Sequence, residues 1–257
     1  MSEHVRIARD GAVLAITLTR PERRNALTVA MYAALAEAIE EARGDSTLRA
    51  ITFRGEGQDF AAGNDLADFL GALPDDRENL AVWRLLRALV QCDIPMIAAV
   101  HGNCVGIGTT MLLHCDLVVA DETARFSLPF VDLGLVPEAG SSLLLPRLAG
   151  RRRSARYLLL GEAFGLDEAM DIGLVSHRAE LGALDERLGE LVAALLAKPP
   201  EAVRQAQRLL RHGTREDILA QMGLEAEVFA ERLGSAEAKE ALSAFFEKRK
   251  PDFSRFQ

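Results

Sequence analysis

Three short runs that are apolar at nearly every position, AITF at 50–53, MIAAV at 96–100 and LVVA at 117–120, restrict this chain more than any other feature of its sequence. A strand without a polar face must be covered on both sides, and such strands alternating with helical stretches make parallel βαβ units. The helical stretches are there: Trp83, Leu86 and Val90 recur at helical spacing, and a short helix follows Gly106. Ahead of them, the runs at 5–9 and 13–19 flank Asp10-Gly11, a hairpin signal. Thr28 is placed to cap a helix carrying Met31, Leu35, Ile39 and Ala42 on one face, with Gly44 just past its end.

After Gly140 the pattern turns helical. Leu184, Leu188, Leu191 and Leu195 form one apolar face, and Val203, Ala206 and Leu210 another. Thr214 and Ser235 are expected to cap two further helices, the second ending at Pro251. At 257 residues this predicts an α/β core over 1–195 and a helical C-terminal region over 196–257, a soft boundary that lets both parts share a core.

A net charge of −8 sets the summed field against nucleic acid and anionic lipid, so neither is expected as a partner. The three cysteines, Cys92, Cys104 and Cys115, have no metal-ligand spacing and sit in or beside apolar runs, where reduced thiols are expected. No metal or cofactor is implied. The polar start MSEHVRIARDG lacks an apolar signal region and no stretch has membrane-spanning length, so a cytoplasmic protein is expected.

Two strand-to-helix turns carry the chemistry. FAAGNDL at 60–66 follows the strand ITFRGEG, and GNCVGIGTT at 102–110 follows MIAAV. Glycines ahead of a helix expose amide N–H groups and the positive end of its dipole. Two such turns facing one crevice make an oxyanion hole; taken singly, each glycine serves a tight turn equally well. The order Gly-x-x-x-Gly-x-Gly is not that of a dinucleotide fold, and neither a phosphate loop nor a G-x-S-x-G elbow occurs.

FAAGNDL, IPMIAAVHGNCVGIGTTMLLHCDLVVA, ARFSLPFVDLGLVPEAGSSLLLPRLAG and the terminal FFEKRKPDF together resemble the crotonase (enoyl-CoA hydratase/isomerase) superfamily over nearly the whole chain. The resemblance implies repeated ββα units with a helical C-terminal region, a homotrimer or dimer of trimers, and an acyl-CoA thioester substrate in fatty-acid or related metabolism. It implies main-chain oxyanion donors at Asn64 and Ile107, beside Gly106. It implies CoA contacts at Arg23, Arg24 and Ala26 of RPERRNAL, at Ala62, Gly63, Asn64, Asp65 and Leu66, and at Lys248 with Lys250, whose other reading is a solvated helix end.

The two glutamates that activate water in the family's hydratases correspond here to Thr110 and Phe130, neither of them a base near neutral pH. A carboxylate stands eight residues on, at Glu138 in PEAGSS. There, and at GNDLADF, the chain resembles the peroxisomal-type 3,2-enoyl-CoA isomerases, which carry their single catalytic glutamate at this position. The other reading of Glu138 is a first-turn carboxylate on the helix through Leu143. Asp65 is expected to cap a helix, His101 and His114 to be packed and hydrogen-bonded, and Asp116 and Asp132 to be turn residues. Hydratase activity, and a crotonase fold retained only for binding or scaffolding, are the alternatives.

Overall fold

A computed structural model describes residues 2–71 and 80–256, without the side chains of 69–71. The expected hairpin forms: β1 (Val5–Asp10) pairs antiparallel with β2 (Val13–Leu18) across Asp10-Gly11. Strand β3 (Ala50–Gly55) then adds parallel to β2, β4 (Met96–Val100) to β3, and β6 (Leu117–Ala120) to β4. The short β9 (His177–Arg178) closes a six-stranded sheet in the order β1-β2-β3-β4-β6-β9. A second sheet, β5-β7-β8, consists of β5 (Asn103–Val105), β7 (Arg125–Ser127) and β8 (Phe164–Gly165).

The chain repeats one device. A strand in the large sheet is followed by an extended segment against the small sheet and then by a helix: β4, β5 and α4 (Ile107–Thr110); β6, β7 and later α5 (Ser141–Ala149). After β3 the extended segment is a single bridge, Ala61 to Cys104, before α2 (Leu66–Gly71). This is the expected ββα repetition.

Period-two alternation explains why the central strands are apolar throughout. Met96, Ala98 and Val100 are buried with Ile51 and Phe53 of β3, the buried face of α1 (Val29–Arg43), and Leu85 and Leu89 of α3 (Ala81–Gln91) in the main core. The intervening Ile97 and Ala99 join Val119 in a second cluster, covered by Leu188 and Leu191 of α8 (Leu184–Leu196). Thr28 caps α1 as expected, its hydroxyl accepting from the Met31 N–H at 3.2 Å.

Several expectations fail. The chain after Gly140 is not wholly helical: between α6 (Arg151–Leu159) and α7 (Leu166–Asp171) lies β8, and after α7 lies β9, each of two residues and too short to show a period. In α9 (Pro200–Arg211) the buried residue is Gln207, while Ala206 is exposed and Leu210 is 77% exposed. The reason is Asp116. It is no simple turn residue: it accepts from the Met96 N–H at 2.8 Å, from Gln207 at 2.7 Å and from Arg211 at 3.0 Å. That polar network turns the Gln207 and Arg211 side of α9 inward.

Thr214 does not cap α10 (Arg215–Leu233); its hydroxyl donates to the Arg211 carbonyl instead. Ser235 does cap α11 (Ala236–Phe246), accepting from the Ala238 N–H at 3.1 Å. This last helix stops well before Pro251, where Lys248 turns left-handed at φ 54° and the Arg249 N–H returns to the Ala244 carbonyl. None of the described helices is long and apolar enough to cross a membrane.

Candidate active site

Backbone pairing brings the two glycine turns together. The Ala61 N–H donates to the Asn103 carbonyl and the Val105 N–H to the Ala61 carbonyl, so 61–63 and 103–106 run side by side. Gly63 has φ 90° and Gly106 φ 53°. A Cβ on Gly63 would lie 3.2 Å from the Val105 carbonyl oxygen, and one on Gly108 would lie 2.9 Å from that of Ala61. The turns touch because these positions carry no side chain. Around them the amides of Asp65, Gly106, Thr109 and Thr110 all donate to backbone carbonyls, whereas those of Asn64 and Ile107, like those of the flanking Gly63 and Gly108, meet no backbone acceptor among the described residues. Two free donors on adjoining turns can serve a carbonyl oxygen that gains charge.

The loop ahead of α1 docks on the same place. Arg24 and Asn25 both turn left-handed, at φ 51° and 55°. Buried Asn25, left out of the candidate set, holds the loop: its Oδ1 accepts from the Arg20 N–H and its Nδ2 donates to the Glu56 and Asp59 carbonyls at 2.9 and 2.8 Å. Ala62 donates to the Arg24 carbonyl and Leu27 to the Gly63 carbonyl. Ala26 passes its carbonyl to Arg20, which also pairs with Asp65 at 2.8 Å. Asp65 caps α2 as expected, accepting from the Asp68 N–H. Thus Arg24, Ala26, residues 62–66, Gly106 and Ile107 come together, with exposed Arg23 at the rim. Lys248 lies exposed past α11, with no hydrogen bond or ion pair to this group among the described residues.

Glu138 faces the second turn. The Thr110 hydroxyl at the end of α4 donates to its Oε1 at 2.5 Å. The residue keeps some exposure, yet desolvation raises its pKa from 4.5 to about 8, with a contribution from the negative charge of Glu225 and against the Thr110 hydrogen bond. The first-turn reading of Glu138 fails, because α5 begins at Ser141 and Glu138 stands ahead of it. The carboxylate on the N-terminal amides of α5 is Glu225 of α10, accepting from Gly140 at 2.6 Å and from Ser142 at 3.0 Å.

Two participants were not foreseen. Tyr32 of α1 is fully buried and donates its hydroxyl to the Asn64 Oδ1; burial first, then the Glu138 charge, pushes its phenol well above 10. Its signal was a lone phenol on a helix face otherwise made of Ala, Leu, Ile and Met. Glu225 was legible only as an acid in the apolar series Ile218, Met222, Glu225, Phe229.

His114 is packed as expected, its Nε2 2.8 Å from the Ala139 carbonyl, and burial lowers its pKa to about 4. His101 is half-buried with its Nε2 3.0 Å from the Gly57 carbonyl. Phe130 is buried. No metal-binding cluster occurs among the described residues. A separate cavity of about 290 Å³, between Leu112, Val118, Leu148 and Leu174, contains none of the site residues.

Comparison with known proteins gives the family. The family model for enoyl-CoA hydratase/isomerase matches residues 8–255. The 2,3-dehydroadipyl-CoA hydratase of Escherichia coli is 34% identical over 98% of this chain and 99% of its own length. The 1,2-epoxyphenylacetyl-CoA isomerase of the same organism is 33% identical over 94% and 95%. Among solved structures, an enoyl-CoA hydratase/isomerase from Pseudoalteromonas atlantica superposes with a TM-score of 0.93 at 40% identity, covering 98% of this chain and all of that one. The chain belongs to the enoyl-CoA hydratase/isomerase family of the crotonase superfamily, whose enzymes act on acyl-CoA thioesters.

Proposed function

We propose that this enzyme is a Δ3,Δ2-enoyl-CoA isomerase with Glu138 as its single proton shuttle. The observation that carries the reading is the Thr110–Glu138 hydrogen bond: a residue that cannot act as base occupies the family's hydratase position and holds a carboxyl group against the glycine turns. In the proposed reaction the thioester oxygen accepts from the Asn64 and Ile107 N–H groups. Glu138 takes a proton from C2, the electron pair delocalises over C2 to C4 and the thioester as a dienolate, and the Glu138 carboxyl group delivers a proton to C4. One base suffices, and a carboxyl group with a pKa of about 8 both removes and returns a proton near neutral pH. Hydration by the family's two-carboxylate route would require a second acid beside the same water. The buried carboxylate on the neighbouring α5 amides, Glu225, already accepts from two amides and the Ser142 hydroxyl.

Arg23, Arg24, Ala26 and residues 62–66 are the proposed CoA contacts, joined by Lys248 from a neighbouring subunit of a homotrimer or dimer of trimers. Leu209, Leu210, Phe245 and Phe246, each more than half exposed, support self-assembly. Three unpaired cysteines fit a reducing cytoplasm. The decisive assay offers a 3-enoyl-CoA and a 2-enoyl-CoA side by side. Isomerisation should be much the faster, and a 2-enoyl-CoA in deuterated water should exchange at C4 without accumulating 3-hydroxyacyl-CoA. Hydration equal to or faster than isomerisation rejects the reading.

A further inference from the structure

We propose that Glu225, a residue of the C-terminal helices, is a positioning residue that seats the 137–140 turn and sets the proton affinity of Glu138 through its charge. This rests on the reading of Glu138 as the base. The turn needs holding: Ala139 and Gly140 are successive left-handed residues, at φ 59° and 73°, and a left-handed alanine is unfavourable. On one side His114 meets the Ala139 carbonyl at 2.8 Å. On the other, Glu225 takes the Gly140 N–H at 2.6 Å, the Ser142 N–H at 3.0 Å and the Ser142 hydroxyl. Gln221, one helical turn earlier on α10, donates to the Ser142 Oγ at 2.9 Å and so directs the hydroxyl proton to Glu225. A Cβ on Gly140 would meet Ile218 at 3.1 Å and Met222 at 3.6 Å, so α10 closes directly over the turn.

Charge gives this contact its consequence. The N-terminus of α5 offers a partial positive charge that would favour an ionised Glu138. Glu225 occupies it instead. Burial raises the pKa of Glu225, but three donors on its two oxygens are the partner set of a carboxylate. Those donors favour the charged form of Glu225, and its charge raises the proton affinity of Glu138. The other groups facing Glu138 carry no charge at neutral pH: Thr110 from α4, the Tyr32 phenol from α1, and His114 behind the turn.

The test titrates Glu138 directly, by the infrared carboxyl band that disappears in E138Q, beside the pH profile of kcat/KM for a 3-enoyl-CoA. In E225Q, and in E225M/S142A, which leaves no unmatched hydroxyl, the Glu138 midpoint should fall by about one pH unit, and the acid limb of kcat/KM should follow. E225D keeps the charge and should keep the wild-type midpoint. A merely structural role would lower kcat at every pH and leave the midpoint in place. An unmoved midpoint in either folded neutral variant, or an equal shift in E225D, overturns the proposal. Failure of the isomerase reading is separate: the wild type would then not turn over 3-enoyl-CoA although the band still moves in E225Q.

Discussion

The Thr110 hydroxyl donates to Oε1 of Glu138 across 28 residues of chain, joining the end of α4 to the turn ahead of α5. The bond favours the ionised carboxylate and opposes burial, so it bears on the proton affinity of the proposed base. Replacing Thr110 with the isosteric Val should push the Glu138 pKa above about 8 and move the acid limb of kcat/KM to higher pH. Isomerisation should drop at neutral pH and recover in alkaline buffer; a pH profile of the variant decides.

Glu138→Gln preserves size and can still accept from Thr110, but it cannot take a proton. Isomerase kcat should fall by about 10²–10⁴ while the affinity for a saturated acyl-CoA changes little. Kinetics with calorimetric titration separate the two effects; loss of binding together with turnover would instead place Glu138 in the ligand-binding framework.

Ile107→Pro removes one amide from the paired turns at a helix position that tolerates proline. Loss of a single oxyanion donor should cost about 10²–10³ in turnover. Single-turnover measurements on the folded variant provide the check.

Burying Glu138 has a cost that depends on pH. Its folded pKa of about 8 lies above the ordinary glutamate value of 4.5, so between these limits the native state holds a proton that the unfolded chain releases. Stability from this group is full below the lower value and is lost as pH rises through the upper one. E138Q should therefore melt higher than the wild type above about pH 8 and close to it below pH 4.5. Melting curves at the two ends test this, and an equal Tm difference at both would refute it.

The exposed Leu209, Leu210, Phe245 and Phe246 lie on two helices of the C-terminal region, α9 and α11. Light scattering should give the mass of a trimer or of two trimers, and Leu210→Glu should weaken the assembly. A monomeric wild type at micromolar concentration would defeat this.

Local pattern determined much of this protein. Period and turn chemistry alone located the hairpin at Asp10-Gly11, the Thr28 and Ser235 caps, the apolar central strands and the two glycine turns, because each depends on residues close in sequence. The same residues marked Glu138 as a carboxylate beside a helix start. Tertiary structure decided what that carboxylate does not do: the amides of α5 are taken by Glu225, 85 residues beyond Gly140. It also decided that Tyr32 orients Asn64, that Asp116 turns the polar side of α9 inward, and that β8 and β9 are strands. A buried polar group is satisfied by whichever partner the fold delivers, and a two-residue strand is defined only by its neighbour; neither leaves a period in the sequence from which it can be read.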